Sequence, residues 1–191
     1  MKYFKSKNLF NISFEEEKLQ EAEVQIQEEQ QTSEQPIVTN TIIIAAYHCV
    51  GSTTYASKHT NSKDLEASMY SKNVDGSKNE EFPNNYISAI KWHLVNNNWS
   101  YLFVSCHQEV IDALTNNHIP FYVIYPGIER KEEILNLCRE RGNNEEFVKL
   151  LEENYETAVE RLSQLPNSYV LSEGEFITDE LFESKLKFLK Q

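Results

Sequence analysis

Residues 41–53 read TIIIAAYHCVGST, and this stretch decides the predicted fold. Its first half, Thr41–Ala46, contains three consecutive isoleucines, which is typical of a buried strand. Gly51 then indicates a turn, and a short helix is expected over Thr53–His59. A buried strand that leads through a glycine-containing turn into a helix predicts the first unit of an α/β sheet.

Strands and helices are predicted to alternate along the rest of the chain. Apolar runs predict further strands at 101–106, 121–126 and 169–171. Residues 60–82 are polar and are expected to be irregular. Apolar residues at helical spacing predict helices after Pro83 and over four further segments, 107–117, 131–141, 145–165 and 179–189. Because the strands are short and fully apolar, we expect a mostly parallel sheet with helices on both faces.

Composition and charge limit the classes of function that this chain can have. The chain has 191 residues, 40% of them hydrophobic, which is enough for one folded domain with a core. A net charge of −12 disfavours binding to an extended nucleic acid, although it allows a small anion in a local pocket. No apolar run approaches the roughly 18 residues of a membrane span, and the N-terminus is a poor signal peptide, so we expect a cytoplasmic protein without a membrane partner.

The three cysteines, Cys49, Cys106 and Cys138, are odd in number and far apart in the sequence. Their spacing fits no zinc motif, and no other metal-ligand pattern is present, so no metal site is predicted. We expect reduced thiols, mostly within the core.

Residues 1–36 differ in character from the rest of the chain and form a predicted N-terminal extension, with the α/β domain at 37–191. The segment 15–34 holds eight Glu and five Gln and has apolar residues at the spacing of a thin amphipathic helix. Before it, Phe10, Ile12 and Phe14 alternate with polar residues. Two interpretations stay open, a solvated tail and an oligomerisation arm that packs on another copy of the chain.

The turn after the first strand is the first candidate site, because ligands of parallel α/β sheets bind beyond the carboxyl ends of the strands. A phosphate-binding loop has the pattern G-x-x-x-x-G-K-[ST] between a strand and a helix. Here Gly51 and Thr53 match its second glycine and its hydroxyl. The first glycine is replaced by Ala46, and the lysine by Ser52.

Further motifs follow in a fixed order over about two-thirds of the chain, and together they resemble a family of small P-loop nucleotide-kinase-like proteins of bacteriophages. The matching segments are Asp64-Leu65-Glu66-Ala67-Ser68, Phe82-Pro83-Asn84-Asn85-Tyr86-Ile87, Val104-Ser105-Cys106-His107, Tyr125-Pro126, Lys131-Glu132-Glu133, Arg141-Gly142-Asn143 and 147–154. The resemblance implies a P-loop kinase-like sheet with a degenerate phosphate loop.

The resemblance and the loop together give a set of candidate ligand-binding residues. The resemblance implies a substrate-side element and a basic lid segment. The guanidinium groups of such a lid suit phosphate binding. Tyr47 and His48 could stack on a base or simply pack, and His107 could contact the ligand or cap a helix. The candidates are Ala46, Tyr47, His48, Cys49, Val50, Gly51, Ser52, Thr53, Asp64, Glu66, Ser68, His107, Arg130, Lys131, Arg139 and Arg141.

Three functions remain open from the sequence. The favoured one is a non-catalytic protein without a cofactor that binds a nucleotide-derived ligand, because the loop has lost the charge that drives phosphoryl transfer. Through the phage resemblance, this suggests an anti-defence sponge that sequesters a host immune signal, a cyclic nucleotide or an ADP-ribose derivative. The alternatives are an active divergent nucleoside or nucleotide kinase, with Lys58 or a lid arginine in place of the lysine and Mg²⁺ as cofactor, and a protein-interaction module with a vestigial pocket.

Overall fold

The computed structural model describes residues 39–186, which form an α/β structure around a five-stranded sheet in which all strands are parallel. The strands are β1 (Ile42–Ala46), β2 (Ser62–Asp64), β3 (Tyr101–Ser105), β4 (Tyr122–Pro126) and β5 (Ser168–Leu171). Their order in the sheet is β2-β3-β1-β4-β5. The predicted parallel α/β class is therefore confirmed.

Seven α-helices connect or follow the strands in the described part of the chain. They are α1 (Ser52–Lys58), α2 (Ser68–Ser71), α3 (Asn84–Asn96), α4 (Gln108–Asn116), α5 (Lys131–Glu140), α6 (Glu145–Ser163) and α7 (Asp179–Ser184), with a 3₁₀ turn at Ile128–Arg130 before α5. Capping side chains explain where two of these helices begin. The Asn144 side chain accepts a hydrogen bond from the backbone N–H of Phe147, and Thr178 accepts one from Leu181. None of these helices is long and apolar enough to cross a membrane.

The central strands are buried on both faces of the sheet. Leu102 and Phe103 are neighbours in β3, so their side chains point to opposite faces, and both are fully buried. On the Phe103 face, the ring of Tyr55 in α1 lies edge-on to Phe103 with centroids 5.7 Å apart. Phe182 of α7 stacks on Tyr101 at 4.3 Å on the same face. These aromatic contacts fix α1, and with it the loop before α1, against the sheet.

Two elements were not foreseen in the polar stretch 60–82. Ser62–Asp64 pairs with Tyr101–Phe103 as the edge strand β2, and Ser68–Ser71 forms one helical turn. The expectation that this whole stretch is irregular was wrong because pairing with an apolar neighbour overrides local polarity. The predicted extension 1–36 lies outside the described residues, as does the last part of the helix expected at 179–189.

The strand order places a switch point beside β1. The chain leaves β1 toward β2 at one edge of the sheet and leaves β4 toward β5 at the other edge. The connections that follow these two adjacent strands therefore run in opposite directions, which defines a topological switch point at their carboxyl ends. Ligands of open α/β sheets bind at such a point, and here the loop between β1 and α1 lies beside it.

Candidate functional site

The loop between β1 and α1 is held by main-chain hydrogen bonds on both sides. The Tyr47 N–H donates to the Ile124 carbonyl of β4 at 2.9 Å, and the Val50 carbonyl accepts from the Ile177 N–H at 2.9 Å. Gly51 has a φ of 103°, and a Cβ at this position would lie 3.3 Å from the Ile177 nitrogen. A side chain at 51 would thus meet both backbone strain and a close neighbour, which explains the glycine.

The hydroxyls at the start of α1 are bonded to a carboxylate. Thr53 donates to Oδ2 of Asp64 at 2.6 Å, and Ser52 donates to the same oxygen at 3.2 Å. Asp64 ends β2, so this network joins the loop to the edge of the sheet. Burial raises the pKa of Asp64 against the opposing effect of the two hydroxyls. The carboxylate keeps oxygen lone pairs that can accept a further donor from a ligand.

Two imidazoles face each other across the ends of β1 and β3. Nε2 of His48 lies 3.4 Å from Nε2 of His107, and Nδ1 of His107 lies 3.0 Å from the Ser105 hydroxyl. A hydrogen bond between two imidazole nitrogens requires one of them to carry a proton and the other a lone pair. Desolvation, together with His107 and Arg141, lowers the pKa of His48 to about 4, so His48 is neutral at pH 7.

The Ser105–His107–His48 array lacks the orienting carboxylate of a hydrolytic triad. Within residues 39–186, no Asp or Glu side chain is hydrogen-bonded to either imidazole. Glu109 and Glu66 act on His107 only through their charge, so no hydrogen-bonded carboxylate orients the ring or holds an imidazolium as the serine is deprotonated. The array therefore offers neutral donors and acceptors rather than an activated nucleophile.

Because burial makes His48 and His93 hard to protonate in the folded state, we predict that the protein loses stability in mild acid. Burial also lowers the pKa of His93 to about 4, far below the 6.5 of an exposed histidine. A lowered pKa in the folded state means that the unfolded chain binds the proton more tightly, so stability falls as the pH drops from 6.5 toward 4. His93 and His48 should each contribute a loss of roughly 1–2 kcal/mol at pH 5 relative to pH 7.

Urea unfolding at pH 7 and pH 5 checks this loss, and His93→Gln should reduce the difference between the two pH values. An equal difference in the wild type and in His93→Gln would contradict the assignment to His93.

Arg141 brings a cation to this loop from the end of α5. Its positive charge lowers the pKa of His48, Cys49 and Asp64, so its guanidinium lies near all three. Arg141 is exposed, and no carboxylate within residues 39–186 forms an ion pair with it. A guanidinium without a carboxylate partner, beside a partly exposed loop, is able to bind an anion.

Several predicted site residues lie away from the open side of the loop. Tyr47 is 4% exposed and packs edge-on against Tyr155, so its ring cannot stack on a ligand. Val50 is fully buried. Arg130 is 1% exposed and bonded to protein groups on all sides. These three side chains shape or support the loop instead of facing solvent.

The other members of the predicted basic cluster pair with acidic or amide groups. Lys131 donates to Glu156 at 2.9 Å, and Arg139 donates to Asn136 at 3.1 Å. Glu66 and Ser68 are exposed and follow Asp64 closely in the chain. Of the four predicted basic residues, Arg141 is thus the one whose charge acts on the loop.

One pair of residues at the loop was not predicted. The Sγ atoms of Cys49 and Cys138 lie 3.0 Å apart, although 89 positions separate these residues in the chain. Sequence spacing gives no signal for a contact of this separation. Within residues 39–186, no group of three or more His, Cys, Asp or Glu side chains has the geometry to hold a metal ion.

Comparison of the chain with protein-family models, with curated proteins and with solved structures finds no match.

Proposed function

We propose that this protein binds a small nucleotide-derived anion and holds it without chemical change. The observation that carries the proposal is the position of Arg141, whose charge acts on the loop after β1 while Ser52 occupies the position of the kinase lysine. The order of strand, glycine turn and helix around this loop, which a phosphate-binding loop also has, supports the proposal. We include in the proposal that the sheet belongs to the P-loop kinase-like class.

Different polar groups around the loop suit different parts of such a ligand. The Arg141 guanidinium suits a bidentate contact with a phosphate. Asp64 can accept a hydrogen bond from a ribose hydroxyl or from an amino group of a base. His48 and His107, both beside the loop, supply uncharged ring nitrogens to the remaining polar edge.

The balance of charge favours a ligand that carries few negative charges. The charges of Arg141 and Arg161 both act on groups around the loop. Asp64 and Glu66 place two carboxylates near the same groups, so the site offers no excess of positive charge. A triphosphate needs several cations or a metal, whereas a phosphodiester needs one guanidinium. Cyclic nucleotides and ADP-ribose derivatives therefore fit better than nucleoside triphosphates. With the resemblance to phage proteins, the proposed role is a sponge that sequesters a host immune signal of this class.

A kinase remains the second candidate, because Arg141 could take over the role of the missing lysine. Lys58, the other predicted replacement, lies in the last turn of α1, six residues after Ser52. At 1.5 Å per residue this is about 9 Å along the helix axis, so its backbone lies far from the loop.

Isothermal calorimetry with cyclic nucleotides and ADP-ribose derivatives tests the binding proposal. We expect at least one of them to bind with a Kd below about 10 μM. Arg141→Ala should weaken this binding tenfold to a hundredfold, because a hydrogen bond to a charged group contributes about 1.5–3 kcal/mol. Arg141→Lys keeps the charge but loses the planar fork, and should bind with intermediate affinity.

Arg139→Ala is the matched control, because Arg139 is an exposed arginine of α5 that bonds to Asn136 on its own helix. It should bind like the wild type. Native mass spectrometry of protein purified from cells should also reveal a retained molecule that is recovered unaltered after denaturation. If no member of the panel binds below about 10 μM, or if the recovered molecule is altered, the proposal is wrong.

A further inference from the structure

The thiols of Cys49 and Cys138 are placed for reaction with each other. Cys49 lies in the loop after β1 and is partly exposed, with a positive φ of 59°, whereas Cys138 is fully buried in α5. Their Sγ atoms are 3.0 Å apart, which is about 1 Å longer than a disulfide bond. A shift of this size is within reach of the Cys49 side chain, because Cys49 lies in a loop and not in a helix or strand.

The two thiols also differ in the way that a reacting pair requires. The hydrogen bond between the two thiols and the charge of Arg141 lower the pKa of Cys49, against the effect of burial, so Cys49 ionises more readily than an ordinary thiol. The same hydrogen bond and burial raise the pKa of Cys138. The thiolate is the nucleophile in exchange reactions, so Cys49 is the attacking residue and Cys138 the resolving one.

We propose that Cys49 and Cys138 form a redox-active dithiol that is oxidised to an intramolecular disulfide by small-molecule disulfides of the glutathione type. The Cys49 thiolate attacks one sulfur of the oxidant, whose S–S bond breaks and releases one thiolate. The Cys138 thiol then loses its proton and attacks the Cys49 sulfur, and a second thiol leaves. Two electrons pass from the protein to the oxidant, and the two protein thiol protons end on the two released thiols.

The disulfide would join the two sides of the switch point beside β1. Cys49 belongs to the loop after β1, and Cys138 to the helix that follows β4. Oxidation would also remove the thiolate beside Arg141. The inference does not depend on the proposed ligand, because disulfide formation is measured on the protein alone.

Oxidised glutathione is the probe, and mass spectrometry of the full chain is the readout. The wild type should lose two hydrogen atoms, with a Cys49–Cys138 cross-link in the peptide map, and a reducing agent should reverse this change. Cys138→Ser should instead retain one glutathione on Cys49. Cys106→Ser is the matched control and should behave as the wild type, because burial raises the pKa of Cys106 to about 12.

A second measurement does not depend on any variant. Alkylation of the wild type at pH 7 should modify Cys49 at least roughly tenfold faster than Cys106, as the larger thiolate fraction requires. A wild type that forms no cross-link with oxidised glutathione, or one in which Cys106 is cross-linked or alkylated first, would overturn the proposal.

Discussion

Replacement of Arg130 by alanine is expected to lower the free energy of unfolding by about 3 kcal/mol or more. The Arg130 side chain is fully buried. Its Nε and Nη2 donate to the two carboxylate oxygens of Glu133 at 2.8 and 2.7 Å, and its Nη1 donates to the Glu175 carbonyl at 2.7 Å. The guanidinium also lies 5.0 Å from the centre of the Phe176 ring. Alanine would leave a cavity together with unpaired polar groups.

Urea denaturation of Arg130→Ala and Arg139→Ala measures this difference. Arg139 is exposed, so its replacement should change stability by about 0.5 kcal/mol or less. Arg130→Met keeps much of the buried volume and separates the polar contribution from the cavity. Equal stability of Arg130→Ala and the wild type would mean that the bonds to Glu133 and Glu175 contribute nothing.

Arg130 also acts on the candidate site, through the segment that follows β5. It holds the Glu175 carbonyl and the Phe176 ring, and the next residue, Ile177, donates to the Val50 carbonyl of the loop. The Cβ of Phe176 further closes the space beside Gly51. Arg130 is therefore a positioning residue for the loop rather than a group that contacts the ligand.

The sequence predicted the scaffold well where the pattern is local. The three isoleucines before Gly51 are sufficient to predict β1 and the turn, because a buried strand of a parallel sheet must be apolar on both faces. β2 was missed because Ser62-Lys63-Asp64 is polar and is held in place by pairing with Tyr101–Phe103, which no local pattern encodes.

The site was predicted less completely than the scaffold, because its members come from distant parts of the chain. Four basic residues between 130 and 141 look alike in the sequence. Arg130, however, is buried against a segment 45 residues later and supports the loop indirectly, and of the four only Arg141 places its charge near the loop. The contact between Cys49 and Cys138 could not be predicted for the same reason, since 89 positions separate the two residues in the sequence.

Phosphoryl transfer from ATP is expected to be absent, or at least about a hundredfold slower than the roughly 1 per second of an ordinary kinase. Loss of one preorganised charged donor raises a barrier by about 3 kcal/mol, which corresponds to this factor. In the structure the Ser52 hydroxyl, at the lysine position of the loop pattern, is bonded to Asp64 at 3.2 Å and supplies no positive charge to a phosphate.

Incubation with nucleosides and nucleoside monophosphates, ATP and Mg²⁺, followed by chromatography of the products, measures this turnover. Arg141→Ala serves as the decisive comparison, because Arg141 is the residue that could replace the lysine. Activity that is equal in the wild type and in Arg141→Ala would come from a contaminating kinase. Turnover near 1 per second that disappears in Arg141→Ala would instead show that this guanidinium stabilises the transferred phosphoryl group, and the kinase alternative would then replace the binding protein.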